Sequence, residues 1–219
     1  MKILAIEIEN YIKHAQRQID QVDRRVLEGE KIPHDEKVFS IFEQHTEWIS
    51  KGKAGVPQEL GLKVCIVEDQ YGFILSHHVM EKQSDESIAI ELVLETKEAY
   101  SELSSMSFDK GFYSPRNKKE LSKMLEKLIM PKKGKLSQQD KQEQAESEYK
   151  ELRKKHSQVE SGINGLENHG LSKCRNNGLH GFEKYVAIAV VARNIEIIGT
   201  LILKKEKIKL EHLSRKKAA

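Results

Sequence analysis

The stretch Ser107-Phe108-Asp109-Lys110-Gly111-Phe112-Tyr113-Ser114-Pro115 constrains the fold more than any other part of this chain. An acid follows directly on a short apolar segment, a glycine lets the backbone turn, and a serine before a proline opens a helix. Serine is a favoured N-cap and proline suits the first helical position, so a strand-to-helix turn is specified locally. A carboxylate at the C-terminal end of a strand lies where open α/β sheets place their chemistry. One carboxylate does not hold a metal ion alone. The partner this sequence offers is Glu160, in His156-Ser157-Gln158-Val159-Glu160-Ser161-Gly162-Ile163-Asn164.

The elements around that turn read as follows. Residues 1 to about 29 carry Ile8, Ile12, Ala15, Ile19, Val22 and Val26 at steps of four and three, which predicts one long helix closed by Gly29. A linker with Pro33 leads to the apolar run Val38-Phe39-Ser40-Ile41-Phe42, expected to be a strand, and then to a basic, glycine-containing loop over 46–61. Leu62 to Glu68 and Gly72 to Met80, separated by Asp69-Gln70-Tyr71-Gly72, predict a hairpin with Asp69 serving the turn. Ser84 caps a helix to about Leu103. A strand then ends at Asp109, a helix runs from Pro115 to about Leu128, and Leu128-Ile129-Met130 forms a further strand. The order predicts an α/β sandwich with a mixed sheet. The expected divisions are an N-terminal helix and linker over 1–36, a catalytic-type domain over 37–203 with a charged helical excursion at about 136–155, and a basic tail over 204–219.

Composition narrows the class. Of 219 residues, 38% are hydrophobic and 32% charged, so much of the length is solvated helix surface. The net charge of +3 does not by itself call for a nucleic-acid partner, but its distribution is uneven. Lys132, Lys133 and Lys135 cluster together, and the tail carries Lys204, Lys205, Lys207, Lys209, Arg215, Lys216 and Lys217 against Glu206 and Glu211. Cys65 and Cys174 give neither a disulfide framework nor zinc spacing. The N-terminus meets Glu7 too early for a signal peptide, and no apolar run is expected to reach the ~20 residues of a membrane helix. The expectation is a cytoplasmic chain with no membrane partner.

An acid at a strand end and an acid on a helix, far apart in sequence, suit the binding of two Mg²⁺ ions for phosphodiester chemistry. His156 and Asn164 share the face of Glu160, four residues to either side. Spacing alone also fits a surface pair of His156 with Glu160 and an Asp109 that merely ends a strand. Other constellations are weaker: His77 and His78 point to opposite faces of a strand, and Gly52-Lys53-Ala54-Gly55 lacks the frame of a phosphate-cradling loop. Glu43, His45 and Glu47 read as solvated polar positions, and Gly162 and Gly165 as turns or close helix packing.

Five segments in order carry a resemblance. They are Val38 to Thr46, Gly52 to Gly55, Ser107 to Pro115, Pro131 to Lys135, and His156 to Ser161 with Gly170, Leu171 and Cys174 behind it. Together, from about residue 10 to 203, they resemble the C-terminal catalytic part of DDE-type transposases of bacterial insertion sequences, in the ISNCY-like group. The resemblance implies an RNase H-like mixed sheet with flanking helices. It also implies metal-dependent nicking and joining of double-stranded DNA at transposon terminal inverted repeats, with Mg²⁺ or Mn²⁺. Asp109 matches the second acid of the family triad and Glu160 the third, both as catalytic and metal-binding residues. DNA contacts would fall to Lys51, Lys53, Lys132, Lys133, Lys135, His156 and Asn164.

The chain departs from the pattern in two places. Arg153, His156 and Glu167 stand where related sequences carry a tyrosine, an arginine and a lysine. Upstream, Asp20, Asp23 and Asp35 lie in helix and linker context, so the first acid of the triad and the first strand are expected to be missing. The alternative reading is therefore a catalytically inactive, truncated transposase remnant that at most binds DNA or pairs with a full-length copy; the partners expected on either reading are double-stranded DNA and a homodimer mate or a full-length transposase.

Overall fold

A computed structural model describes residues 2–33, 36–50, 58–156 and 159–218, and the side chains of all of these except 2, 3, 139, 155, 159–161, 212 and 215–218. The chain divides into two compact units, Met1–Lys63 with Asn177–His180, and Val64–Asn176 with Gly181–Ala219.

In the first unit, α1 (Lys2–Val22) continues into a π-helical turn, Asp23–Leu27. Its inward side is polar. The buried Gln21 donates Nε2 to the Glu36 carbonyl at 2.9 Å and accepts the Val38 N–H at 3.1 Å, while Arg24 pairs with Asp20, Glu30 and Glu36. The apolar run at 38–42 forms no strand. Its Val38 N–H is taken by the Gln21 side chain, Phe39 packs on Trp48, and Phe42 packs on Tyr11. The strands of this unit are instead β1 (Glu47–Ser50) and β2 (Gln58–Gly61), paired antiparallel.

The second unit holds the remaining strands. β3 (Lys63–Glu68) and β4 (Ile74–Met80) form the expected hairpin. Asp69 shapes its turn, its Oδ1 accepting the N–H groups of Tyr71 and Phe73 at 2.8 and 2.9 Å. Successive side chains on a strand face opposite ways, and here both faces are covered. Cys65 and Val67 pack with Ile88 and Leu92 of α2 (Asp85–Ala99), and burial pushes the Cys65 thiol up to about 12. Val64 and Ile66 pack on the other side with Leu166 of α6 (Val159–Leu166) and Val186, Ala189 and Val190 of α7 (Leu179–Ala218).

Next to the hairpin in sequence stands a β-α-β unit. β5 (Ser105–Ser107), α3 (Pro115–Met124) and β6 (Lys127–Ile129) place the two strands parallel, with Met106 beside Leu128. Reciprocal Ser84–Ser87 bonds cap α2, and Ser114 Oγ accepts the Asn117 N–H at 3.1 Å to start α3 behind Pro115. α2 joins the two sub-structures, because Ala89 and Val93 also close a core with Phe108, Leu121, Leu125 and Met130. The charged excursion folds as α4 (Gln138–Ala145) and α5 (Ser147–His156).

The architecture is thus mixed α/β, as expected. The strands fall, among the described residues, into three two-stranded pairs and not one continuous sheet. A second correction concerns α7. The basic tail continues it as helix to Ala218, and its stretch Leu179–Glu211 is long and apolar enough to cross a membrane by length and composition. One side of that stretch is committed to the protein. Val186, Ala189, Val190 and Ile197 are buried, and Asn194 both accepts the Ile74 N–H at 2.9 Å and donates to the Ile74 carbonyl at 3.0 Å.

Candidate nucleic-acid cleavage site

Asp109 sits at the C-terminal end of β5, where a 3₁₀ turn, Lys110–Phe112, leads towards α3. The ladder with β6 extends to its doorstep through the Phe108 N–H and the Ile129 carbonyl at 2.8 Å. Phe108 is buried in the core, whereas the Asp109 side chain is 67% exposed. The strand end is clamped from α5 by Arg153. One guanidinium nitrogen donates to the Phe108 carbonyl at 3.0 Å and another to Asp109 Oδ1 at 3.3 Å.

Partial burial alone would raise the Asp109 pKa. The Lys110 N–H, the Arg153 guanidinium and the charge of His156 outweigh it, and hold the carboxyl below its ordinary value. The sign follows for stability. A depressed folded-state pKa contributes stability above the ordinary carboxylate range, lost as pH falls through the folded value. Asp109→Asn is expected to destabilise the protein by at most about 1 kcal/mol at neutral pH, since the pair is solvent-screened, and by progressively less as pH falls through the folded value. Urea unfolding of both proteins across that range checks it, and a difference that persists in acid contradicts the ion-pair account.

The second element of the site is α6, which carries Glu160. Its seating is set by two glycines. A methyl group on Gly162 would strike the carboxylate of Glu68, at the end of β3, and one on Gly165 would meet Arg193 Nε of α7 at 2.6 Å. Glu68 Oε2 and Arg193 Nε are both buried with no hydrogen-bond partner among the described residues. Burial pushes the Glu68 carboxyl up in pKa, the Arg193 charge opposes this, and Asp69 adds to it. Close packing, not a turn, is therefore the role of these glycines.

The other residues singled out from the sequence divide. His156 ends α5, half-buried and close enough for its charge to act on Asp109. Asn164 lies exposed on α6. The Glu160 backbone is in α6, but its side chain lies outside the described residues, as do Lys51 and Lys53 altogether. Lys133 and Lys135 are exposed. Lys132 is engaged within the chain, its Nζ 2.8 Å from Asp140 Oδ2, and Asp140 is held well below the usual range by Lys132 and Ser137. Two residues escaped the sequence reading. Arg153 appeared only as a departure from a pattern, and Asn117, which donates to the carbonyls of Glu86 and Phe112, did not appear at all.

The family model for the Transposase DDE domain matches residues 22–195, well over half of the chain. The chain belongs to the DDE transposase family. No match was found among curated proteins or among solved structures. Membership gives this transposase domain a transposition-related function, DNA as its general partner and divalent metal as the usual cofactor of its relatives.

Whether its residues fit such an ion is a question for Asp109 first. An ionised, exposed carboxylate rooted in a rigid strand end is a suitable hard ligand. Of the two acids that the sequence resemblance singles out, it is the one whose side chain is described. No group of three or more His, Cys, Asp or Glu side chains assembles among the described residues.

Proposed function

We propose that this domain carries the second and third acids of a metal-dependent DNA nicking and strand-joining site, acting in the cytoplasm on the terminal inverted repeats of an insertion sequence. The reading includes the RNase H-like topology of the family and Mg²⁺ or Mn²⁺ as the ion. It rests on one observation: an ionised aspartate at the C-terminal end of a parallel strand, faced by Arg153 and His156 on the helix that leads into the Glu160 segment.

In this reading Asp109 and Glu160 hold the divalent ion, which when bound polarises the scissile phosphodiester and the attacking oxygen. The chain's own residues do the rest. The Arg153 fork, already spanning a carbonyl and a carboxylate, is shaped to take a phosphate oxygen in place of Asp109. His156 at the end of α5 and Asn164 on α6 offer further polar contacts, and Lys51, Lys53, Lys132, Lys133 and Lys135 supply salt-sensitive phosphate contacts.

The test is nicking of a duplex bearing the terminal inverted repeat, with Mg²⁺ or Mn²⁺. Wild type is expected to nick. Asp109→Ala and Glu160→Ala should each lower the rate by more than ~100-fold, the upper end for removing a metal's outer partner. Salt-sensitive binding without metal-dependent cutting overturns the catalytic reading and leaves a DNA-binding, non-catalytic role.

A further inference from the structure

The inward side of α6 is almost bare of side chains. Among its described residues the buried ones are Gly162, Gly165 and Leu166, which share one face, whereas Ile163 and Asn164 are exposed. Leu166 packs with Ile74 and Val186 and anchors the C-terminal end. On the Glu160 side of Gly165 no apolar side chain is buried among the described residues. What meets the helix there is the Glu68 carboxylate, at the end of β3, in the space that a Gly162 side chain would fill. Arg193 of α7 lies against Gly165 in the same way, its Cδ, Nε and Cζ all within 2.9 Å of the place of a methyl group. The charge of Arg193 acts on Glu68. Beyond them, Arg193 Nη1 donates to Glu196 Oε2 at 2.6 Å, and that oxygen also meets His169 Nε2, in the π-helical turn that follows α6, at 3.1 Å. Polar side chains from β3 and α7 thus follow α6 from Gly162 to the turn at its end.

Buried polar atoms that make no hydrogen bond contribute little stability, and Glu68 Oε2 and Arg193 Nε are two such atoms among the described residues. Such groups can instead fix one register over its neighbours. A slip of α6 by one residue would turn Ile163 onto Glu68 and Leu166 onto Arg193, where even a methyl group clashes. An apolar seat would tolerate that slide. A carboxylate and a guanidinium set into two gaps in the helix surface do not.

We propose that Glu68 and Arg193 are positioning residues, which occupy the places of the two missing side chains and thereby set the height and register of α6, and with them the place of Glu160. The inference rests on the nicking reading, in which Glu160 holds the ion together with Asp109. Glu160 lies two residues before Gly162, so a shift at the Glu68 contact is passed to it directly. Neither Glu68 nor Arg193 is assigned to the ion or to the DNA. Their effect falls on metal affinity, because ligands must be held to within about 0.5 Å and loss of a supporting partner typically costs 10–100-fold.

The experiment is Mn²⁺ binding to the full chain, followed by the electron paramagnetic resonance of the free ion and counted as the component that Asp109→Ala abolishes. Glu68→Ala and, separately, Arg193→Ala are expected to weaken that component about tenfold with unchanged circular dichroism. Glu68→Gln keeps the shape of the side chain and should stay within about twofold of wild type, a margin well below the loss of a supporting partner. Adding Gly162→Ala to Glu68→Ala puts a methyl group into the vacated space and should recover most of the lost affinity. Equal affinity in wild type and Glu68→Ala overturns the inference. So does a loss in Glu68→Gln as large as in Glu68→Ala, which would make charge and not fit the cause. Should Glu68→Ala fail to fold, Gly162→Ala crowds the same contact from the helix side, and an unchanged affinity there overturns the inference equally. Absence of the component from wild type is a different result: it removes the nicking reading, and this inference falls with it.

Discussion

Leu121→Ala is expected to lower the unfolding free energy by about 3–5 kcal/mol. Leu121 is fully buried on α3, where Ala89 and Val93 of α2, Phe108, Leu125 and Met130 surround it. The residues around it come from α2 and from the chain just beyond the ends of β5, α3 and β6. The cavity would therefore stay largely open, which puts the cost at the upper end of the Leu→Ala range. Domains of this size are stable by only about 5–15 kcal/mol, so this single change removes a large share of the total. Phe108 directly precedes Asp109, so the loss also loosens the strand end that carries the acid. Urea unfolding measures the effect, and a change below about 1 kcal/mol would mean that Leu121 is not in a closed core.

The second large effect is expected at Asn117. This side chain is 4% exposed, and its amide donates to the Glu86 carbonyl at 2.7 Å and to the Phe112 carbonyl at 3.0 Å. It thereby ties the turn after Asp109 to the start of α2. Asn117→Ala leaves two acceptors without their donor and is expected to cost about 2–3 kcal/mol. Asn117→Asp should cost more. At the third position of α3 a carboxylate gains a little from the helix dipole, typically under about 1 kcal/mol. Two carbonyl oxygens facing a buried carboxylate outweigh that gain. Equilibrium unfolding at neutral pH ranks the two variants, and an aspartate milder than alanine would refute the acceptor-clash account.

Much of the second unit was legible because its signals are local. The hairpin at 63–80, the Ser84 and Ser114 caps and the strand–turn–helix around Asp109 are all written within a few residues of where they act. The run at 38–42 misled because apolar content does not say what consumes the backbone. Its Val38 N–H goes to a glutamine 17 residues earlier, and its rings pack on Trp48 and Tyr11. Conversely, β1 and β2 are four residues each, too short for alternation to stand out from a glycine-containing loop.

At the site, Asp109 was visible from its own neighbourhood. Arg153 and Asn117 were not, because each is defined by a carbonyl on another element, 45 and 31 residues away. The buried Glu68 Oε2 and Arg193 Nε were hidden for a related reason. Their only trace in the sequence is the absence of side chains at Gly162 and Gly165.

The length of α7 has a mechanical consequence. Forty residues at 1.5 Å each span ~60 Å, yet the last buried residue is Ile197, and beyond Gly199 every residue whose side chain is described is exposed. A lysine-rich segment of that length would be a marginal helix by itself, so its order is inherited by propagation from the turns anchored in the core. The cations at its end consequently ride on a stiff spar whose aim is dictated by the anchored base. A tilt of ~10° there would sweep the tip by roughly 5 Å, about the rise of one helical turn.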